Sequence, residues 1–437
     1  MNEHTLAVVV SSLIFAATLI LIFTEKIHRT IVGIAGAGLM IAAGILFGFY
    51  SEEEAVTAVD FETLALLFGM MVLVALLQPT GFFEYLAIKV GRWSNGNSIR
   101  LLILLGTVTT LLSMFLDNVT TVVLIAPVTI LISEILGITP APFLIAEAIL
   151  ANTGGVGTLV GDPPNVLIGS AVKLTFIDFI THALPVVIVC WLAVLLLLLV
   201  QFRKTLVTAP EAAKRVHQLD PVKALDHPMT ARKVIIVLGI AVVLFFVHHL
   251  FHVSPAFIAM GGAATALLWI RPKNLSDVLA HVEWSVLLFF AALFVMVGGL
   301  EAAGVLEMVA EWIEMLAEQI SPILFGVVII WIVAILSAVI DNIPITIALI
   351  PVLFSLGQAG INIAPLWWAL VFGAGFGGNG TIIGSTANVV VVSLSEKTKH
   401  PITAVQWSKH GIPAMIIACT VASIFYILFY TYFATSG

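Results

Sequence analysis

The chain has 437 residues, of which 61% are hydrophobic and only 10% charged, and its mean hydropathy is +1.16. A soluble domain carries about 25% charged residues, so this composition excludes a soluble enzyme on a single anchor and implies repeated stretches of the ~20 residues that cross a bilayer. The formal net charge of −7 decides little, because in a membrane protein the placement of charge matters more than its sum.

Taken in order, residues 5–24 and 31–49 read as the first two spans, and a third runs from near Glu62 to about Leu77. No cationic region precedes the first apolar run, which argues against a cleaved signal peptide. Residues 101–135 are apolar but broken at Asp117-Asn118. Residues 141–171 are apolar but broken by Thr153-Gly154-Gly155-Val156-Gly157 and by Gly161-Asp162-Pro163-Pro164-Asn165. A clean span at 183–202 is followed by the longest polar segment, 203–233, which holds Pro210, Pro221 and Pro228. It reads as a basic cytoplasmic linker with one short surface helix around 211–218. The pattern then starts again, with spans at 234–251, 254–270 and 284–300. Residues 322–357 are broken at Asp341-Asn342, residues 364–394 are broken from Gly373 to Ser385, and a last span occupies 411–433.

The second half is a copy of the first. Gly81-Phe82-Phe83-Glu84 matches Gly304-Val305-Leu306-Glu307, and Gly154-Gly155-Val156-Gly157-Thr158 matches Gly377-Gly378-Asn379-Gly380-Thr381, both at an offset of 223. Asn165 matches Asn388 at the same offset, while Pro127-Val128 matches Pro351-Val352 at 224. Near-constant spacing over more than a hundred residues marks an internal duplication. Repeat 1 covers 1–202 and repeat 2 covers 234–437.

Basic residues set the relative orientation. If 101–135 and 322–357 are re-entrant hairpins, each repeat crosses five times and the second is inverted. With both termini outside, 17 of the 18 lysines and arginines then fall inside and only Lys173 outside. A full crossing at 101–135 would put the loop at Lys26 and the basic linker on opposite sides. The expected fold is therefore an all-α polytopic protein of the inner (plasma) membrane, built from two inverted repeats of five transmembrane helices, each with a re-entrant hairpin and a broken helix.

Non-helical backbone at membrane depth is tolerated only where protein or a watered cavity surrounds it. Its half-helix ends carry partial charges that bind ions and small solutes. The breaks nominate Asp117, Asn118, Thr120, Thr158, Asp162, Asn165, Asp341, Asn342, Asn379, Thr381, Ser385 and Asn388 as substrate- or proton-binding residues. Thr386 adds another hydroxyl. Asp117, Asp162 and Asp341 suit a proton or cation, since a carboxylate at that depth is costly; each also fits a helix cap. Glu147 is expected to face the cavity, and Glu134 to be solvated at a hairpin end. Cys190 and Cys419 read as small buried hydrophobes rather than a metal pair. His248, His249 and His252 read as a solvated loop before a metal site, and Trp367, Trp368 and Trp407 as an interfacial aromatic belt. No Lys or Arg lies at a break. No cofactor is implied beyond a coupling proton or Na+. A phosphate-binding loop of the Gly-x-x-x-x-Gly-Lys type is absent, so the chain hydrolyses no ATP itself.

The run Leu116-Asp117-Asn118-Val119-Thr120-Thr121-Val122-Val123-Leu124-Ile125-Ala126-Pro127-Val128, followed by Gly161-Asp162-Pro163-Pro164-Asn165, resembles the ion-transporter superfamily, in particular the ArsB/NhaD group and its branch of P-protein-like proteins and arsenical pumps. The resemblance covers nearly the whole chain and implies secondary transport with the tip and broken-helix residues forming the site. Members include arsenite and antimonite exporters, sodium/proton antiporters and, more distantly, carboxylate transporters. The favoured expectation is proton-coupled efflux of a small inorganic solute, arsenite or antimonite. Sodium/proton antiport is the alternative, followed by a carboxylate or other anion transporter and a channel of the same fold. An intramembrane aspartyl protease is disfavoured because Leu159 stands where its Gly-x-Gly-Asp motif needs glycine. The bilayer is the main partner. An arsenite-stimulated ATPase docking on the linker, as in the pump family, and a homodimer are compatible with this reading, and nothing points to nucleic acid.

Overall fold

The computed structural model describes residues 3–23, 26–206, 220–317 and 319–435, and no strand occurs among them. The surface helix expected around 211–218 lies outside the described residues. Repeat 1 contains α1 (Glu3–Phe23), α2 (Arg29–Phe47), the short α3 (Glu52–Thr57), α4 (Phe61–Leu77), α5 (Phe82–Trp93), the hairpin α6 (Ser98–Leu116) and α7 (Asn118–Leu136), the broken pair α8 (Ala141–Gly155) and α9 (Pro163–Val172), and α10 (Leu184–Phe202). Repeat 2 follows element for element: α11 (Pro228–Val247), α12 (Pro255–Ile270), the short α13 (Leu275–Ala280), α14 (Trp284–Ala302), α15 (Val305–Ala317), the hairpin α16 (Pro322–Ile340) and α17 (Asn342–Gln358), the broken pair α18 (Ala364–Gly377) and α19 (Thr386–Glu396), and α20 (Ala404–Leu428), closed by α21 (Tyr430–Ala434). Pro228 opens α11 inside the stretch expected to be linker, because proline at a first helical turn lacks only an N–H that would have no partner there. The linker is shorter than the sequence suggests for that reason.

Packing is reciprocal between the repeats. Helix α4 lies on α12 and α14 on α2; α7 lies against α19 and α17 against α9; α10 meets α20. These contacts between the repeats return with the roles exchanged, as a two-fold relation requires. With five crossings in each repeat the axis lies in the membrane plane, and the repeats are inverted.

Ten of the described helices are long and apolar enough to span, but three of these are the hairpin arms Ser98–Leu116, Asn118–Leu136 and Pro322–Ile340. Each arm of 19 residues rises about 28 Å. Length alone does not identify them as re-entrant; the chain reversals at Asp117 and Asp341 do. Every residue of α8 and nearly all of α18 are buried, so the broken helices form the molecular core.

Two features differ from expectation. Helices α5 and α15 join the third span of each repeat to its hairpin. On α5 a buried face of Phe83, Ala87, Ile88 and Val90 backs onto polar residues. The apolar residues of this amphipathic stretch are too sparse to read as a span in the sequence. Trp367, Trp368 and Trp407 are not an interfacial belt: all three are buried. The Trp407 indole donates to the Asn379 carbonyl at 3.1 Å, and Trp368 stacks on His182 at 4.9 Å. Among the described residues, Trp93, Trp269 and Trp284 are the exposed tryptophans, and they stand at helix ends. Lysines lie over two of those rings, Lys89 at 5.2 Å from Trp93 and Lys233 at 5.7 Å from Trp269.

Candidate functional site

Both hairpins turn on an aspartate in a backbone conformation that side chains rarely adopt. Asp117 has φ 67° and ψ 156°, and Asp341 has φ 81° and ψ 148°. Such backbone costs about 1–3 kcal/mol and persists only where its surroundings hold it. The Asp117 carboxylate accepts from the Thr120 N–H at 2.9 Å and the Thr120 hydroxyl at 2.7 Å. Asp341 accepts from the Asn342 N–H at 2.7 Å. Both aspartates therefore cap the returning arm, and Thr120 serves that cap.

The broken helices reverse on glycines. A Cβ on Gly155 would stand 2.6 Å from the Gly161 carbonyl oxygen, and one on Gly161 2.6 Å from that of Gly155; Gly378 and Gly384 repeat the contact at 3.0 and 2.9 Å. Hydroxyls pin each break to a hairpin arm: Thr158 donates to the Met114 carbonyl and Thr381 to that of Ala338. The Asn165 amide donates to the carbonyls of Gly155, Val156 and Thr158 at 3.1, 3.2 and 2.8 Å, and the Asn388 amide to those of Gly378 and Thr381 at 2.7 and 2.8 Å. Thr158, Thr381 and the amides of Asn165 and Asn388 therefore brace the unwound backbone instead of pointing into a cavity.

At the centre both hairpin tips converge on Asp162, which is 0% exposed. Asn118 donates to it at 3.4 Å, and Asn342 to both of its oxygens at 3.2 Å. Asp162 stands at the start of α9, but its side chain makes no capping bond; its oxygens are directed to the tips. The cap reading fails there. Asn152 completes the centre. Its carbonyl accepts from Asn118 and from the Ser385 hydroxyl, each at 3.0 Å, and its amide donates to Asn379 at 3.2 Å and Asn388 at 2.9 Å. The Asn379 amide in turn donates to the Thr153 hydroxyl at 3.2 Å.

Arg29, at the start of α2, overturns the expectation that no basic residue reaches a break. Its guanidinium donates to the Asp341 carboxylate at 3.1 Å and to the Thr386 hydroxyl at 2.5 Å, and lies 5.3 Å from the centre of the Phe289 ring. Arg29, Asp341 and Thr386 line a cleft of about 360 Å³ whose other walls are largely aliphatic, from Ile22, Ile27, Ile340, Ile383 and Val389. Glu283 lies within electrostatic reach of both Arg29 and Asp117, and Asp162 within reach of Asp117 and Asp341. The guanidinium thus reaches Asp341 and Glu283, and Asp117 and Asp162 extend the same acidic cluster beyond them.

Of the residues nominated from the sequence, Asn118, Asp162, Asn342, Asn379, Ser385 and Asn388 belong to one connected network, with Asp341 joined to Arg29 beside it. The sequence reading missed Asn152, Arg29 and Glu283. Asn152 precedes the first break by one residue and is the polar exception in an alanine- and leucine-rich run, which is a usable signal. Arg29 is indistinguishable by sequence from an ordinary loop cation. Glu283 stands at the offset of 223 from Asp60, but Asp60 caps α4 through Thr63 and Glu283 makes no capping bond. Glu147 does not face the cavity; it is 1% exposed and turned onto α7. Glu134 is exposed, and Cys190 and Cys419 are buried free thiols, as expected. No group of three or more His, Cys, Asp or Glu able to hold a metal occurs among the described residues.

Inverted repeats whose hairpin tips and broken helices meet on one buried carboxylate define a membrane transporter and not an enzyme. The chain belongs to the CitMHS family, described as citrate transporters, whose model matches residues 19–373. It is 37% identical over 425 residues to a 46 kDa membrane protein of Mycobacterium leprae, covering 95% of this chain and 97% of that one. An uncharacterized transporter of Mycobacterium tuberculosis is 36% identical over 431 residues, covering 97% of this chain and 99% of the relative. The human P protein is 35% identical over 495 residues, spanning 95% of this chain and 59% of the P protein. Among solved structures the YdaH transporter of Alcanivorax borkumensis matches with a TM-score of 0.56 at 17% identity, over 90% of each chain; this likeness concerns the fold.

Proposed function

We propose that this protein is a secondary transporter that couples movement of a cation to movement of protons, with sodium/proton exchange the reading its site supports best. The observation that carries it is the position of Asp162, a buried carboxylate held by the first residue of the returning arm in both hairpins. A proton or Na+ on Asp162 changes what Asn118 and Asn342 are bound to, so one occupant acts on both tips. Oxygen donors from carboxylate, amide and hydroxyl groups suit a hard cation. Asp117, Asp162, Glu283 and Asp341 form an acidic cluster of which Arg29 bonds only Asp341, and such a cluster favours cations over anions.

Arsenite or antimonite efflux ranks lower on the same chemistry. A soft metalloid favours thiolate, and both cysteines lie on α10 and α20, where the Cys190 thiol meets the Ala418 carbonyl at 3.4 Å. A carboxylate-anion substrate is the second reading, favoured by Arg29, whose guanidinium reaches Thr386 at the start of α19, and by the family description. Alternation would carry the hairpins and broken helices against α1, α2, α11 and α12 as a scaffold.

The test is transport by purified protein in proteoliposomes. The expected outcome is Na+-driven dissipation of an imposed pH gradient, lost in Asp162→Asn at normal expression. Arsenite or citrate accumulation with no response to Na+ would overturn this reading in favour of the corresponding alternative.

A further inference from the structure

Glu147 lies in the middle of α8, and α8 packs against α6, α7, α10, α18, α19 and α20. It is 1% exposed. One carboxyl oxygen accepts the Thr129 hydroxyl of α7 at 2.5 Å; the other has no partner among the described residues. No ion pair reaches it among the described residues. The charged side chains of the surrounding helices are Arg100, Glu134, Glu396 and Lys409, all exposed, and His410, which is bonded to Gln201 at 2.7 Å. The remaining titratable groups there, Cys190, Cys419 and Tyr426, make no hydrogen bond to Glu147.

Comparison of the repeats shows that the fold does not need this carboxyl. At the offsets of 223 and 224, Leu370 stands in place of Glu147 and Leu353 in place of Thr129. Both leucines are buried. The same helix pair is thus closed by aliphatic packing in repeat 2 and by a carboxyl–hydroxyl pair in repeat 1. A bare carboxylate in such a place is costly, and nothing in the backbone geometry demands it.

Polar groups extend from Glu147 in both directions. Asn118, Thr121, Thr129 and Ser133 recur at helical spacing along α7, and the buried hydroxyls of Thr121 and Ser133 have no partner among the described residues. Ser133 lies one turn nearer the α7–α8 surface end, beside exposed Glu134. In the other direction Asn152 is five residues along α8, about 7.5 Å of helical rise, and it is bonded to Asn118, which touches Asp162.

We propose that Glu147 is a second proton-carrying group, a station between the α7–α8 surface and the central carboxylate. Its carboxyl O–H forms by taking a proton from the surface side and breaks by giving that proton toward Asp162, with Thr129 fixing the oxygen that stays an acceptor. Reversal of the two steps carries the proton outward. This rests on the proton-coupled reading of Asp162, and the experiment separates the two.

Infrared difference spectra of the reconstituted full-length protein across a pH step read the carbonyl stretch of a protonated carboxyl directly, whatever the transported solute. A band that is lost in Glu147→Gln and shifted in Thr129→Val is expected. Identical spectra in wild type and Glu147→Gln would overturn the proposal. In proteoliposomes with Na+ as the probe, Glu147→Gln and Glu147→Leu should slow proton flux on the order of a hundredfold, the low end of what a positioned proton carrier contributes. Because leucine is what repeat 2 carries, the Leu variant is expected to fold. Wild-type flux with an unchanged pH profile in both variants would also overturn it. If wild type shows no Na+-driven proton flux, the reading of Asp162 fails, and the infrared arm still decides the fate of Glu147.

Discussion

At the scale of single residues, Asp117 and Asp341 each combine a backbone penalty with a capping bond. These contributions can be separated by substitution. Asp117→Gly removes the cap, worth about 1 kcal/mol, but also relieves a conformation that costs about 1–3 kcal/mol. Thermal unfolding in detergent should therefore leave Asp117→Gly within about 1 kcal/mol of wild type. Asp117→Ala keeps the Cβ, loses the cap and should fall about 1–3 kcal/mol below the glycine variant. Equal stabilities for the two variants would show that the tip is unstrained. The sequence displays the tip aspartates as charges in an apolar run, but not the reason for their placement: a positive φ is invisible when the residue is not glycine.

At the scale of elements, the breaks depend on pairs of glycines whose carbonyls approach each other's α-carbons. Backbone cannot retreat as a flexible side chain can, so overpacking there costs about 1–3 kcal/mol or more. Gly155→Ala and Gly161→Ala should each reduce the folded yield, seen as a broadened size-exclusion profile, and abolish transport. Gly239→Ala is the control for space, because a Cβ there, inside α11, meets nothing within 4 Å. A normal profile and normal transport in Gly155→Ala would show that the break is pliable. Both hairpins, both broken helices and the duplication were legible in the sequence, because apolar runs, proline, glycine and a constant offset are local signals. Helices α5 and α15 were not, since an amphipathic segment between spans resembles a loop. Arg29 and Glu283 were missed because their roles come from the packing of α2 and α14. The tryptophans were misplaced because an aromatic residue suits a buried core and an interface equally.

At the scale of the whole molecule, helices α1, α2, α4, α11, α12 and α14 pack mainly on one another, and the hairpins, broken helices, α10 and α20 form a second group. Helices α5 and α15 connect the groups, each beginning at a glycine with positive φ, 74° at Gly81 and 78° at Gly304. The Arg29–Asp341 pair is a polar tie between them, with side chains 23% and 13% exposed. Removing only the guanidinium leaves a carboxylate without its counter-charge, so Arg29→Gln should lower stability by about 2 kcal/mol, between the exposed and fully buried cases. Arg29→Gln combined with Asp341→Asn should recover most of that loss without recovering transport. A single variant as stable as wild type would show that the tie holds nothing. The backbone is duplicated, but its chemistry is not: Asp162 faces Ser385 across the offset of 223, Asn152 faces Gly375 and Glu147 faces Leu370. For a transporter this asymmetry predicts that half-saturating substrate concentrations, measured in right-side-out and in inverted vesicles, differ between the two faces of the membrane.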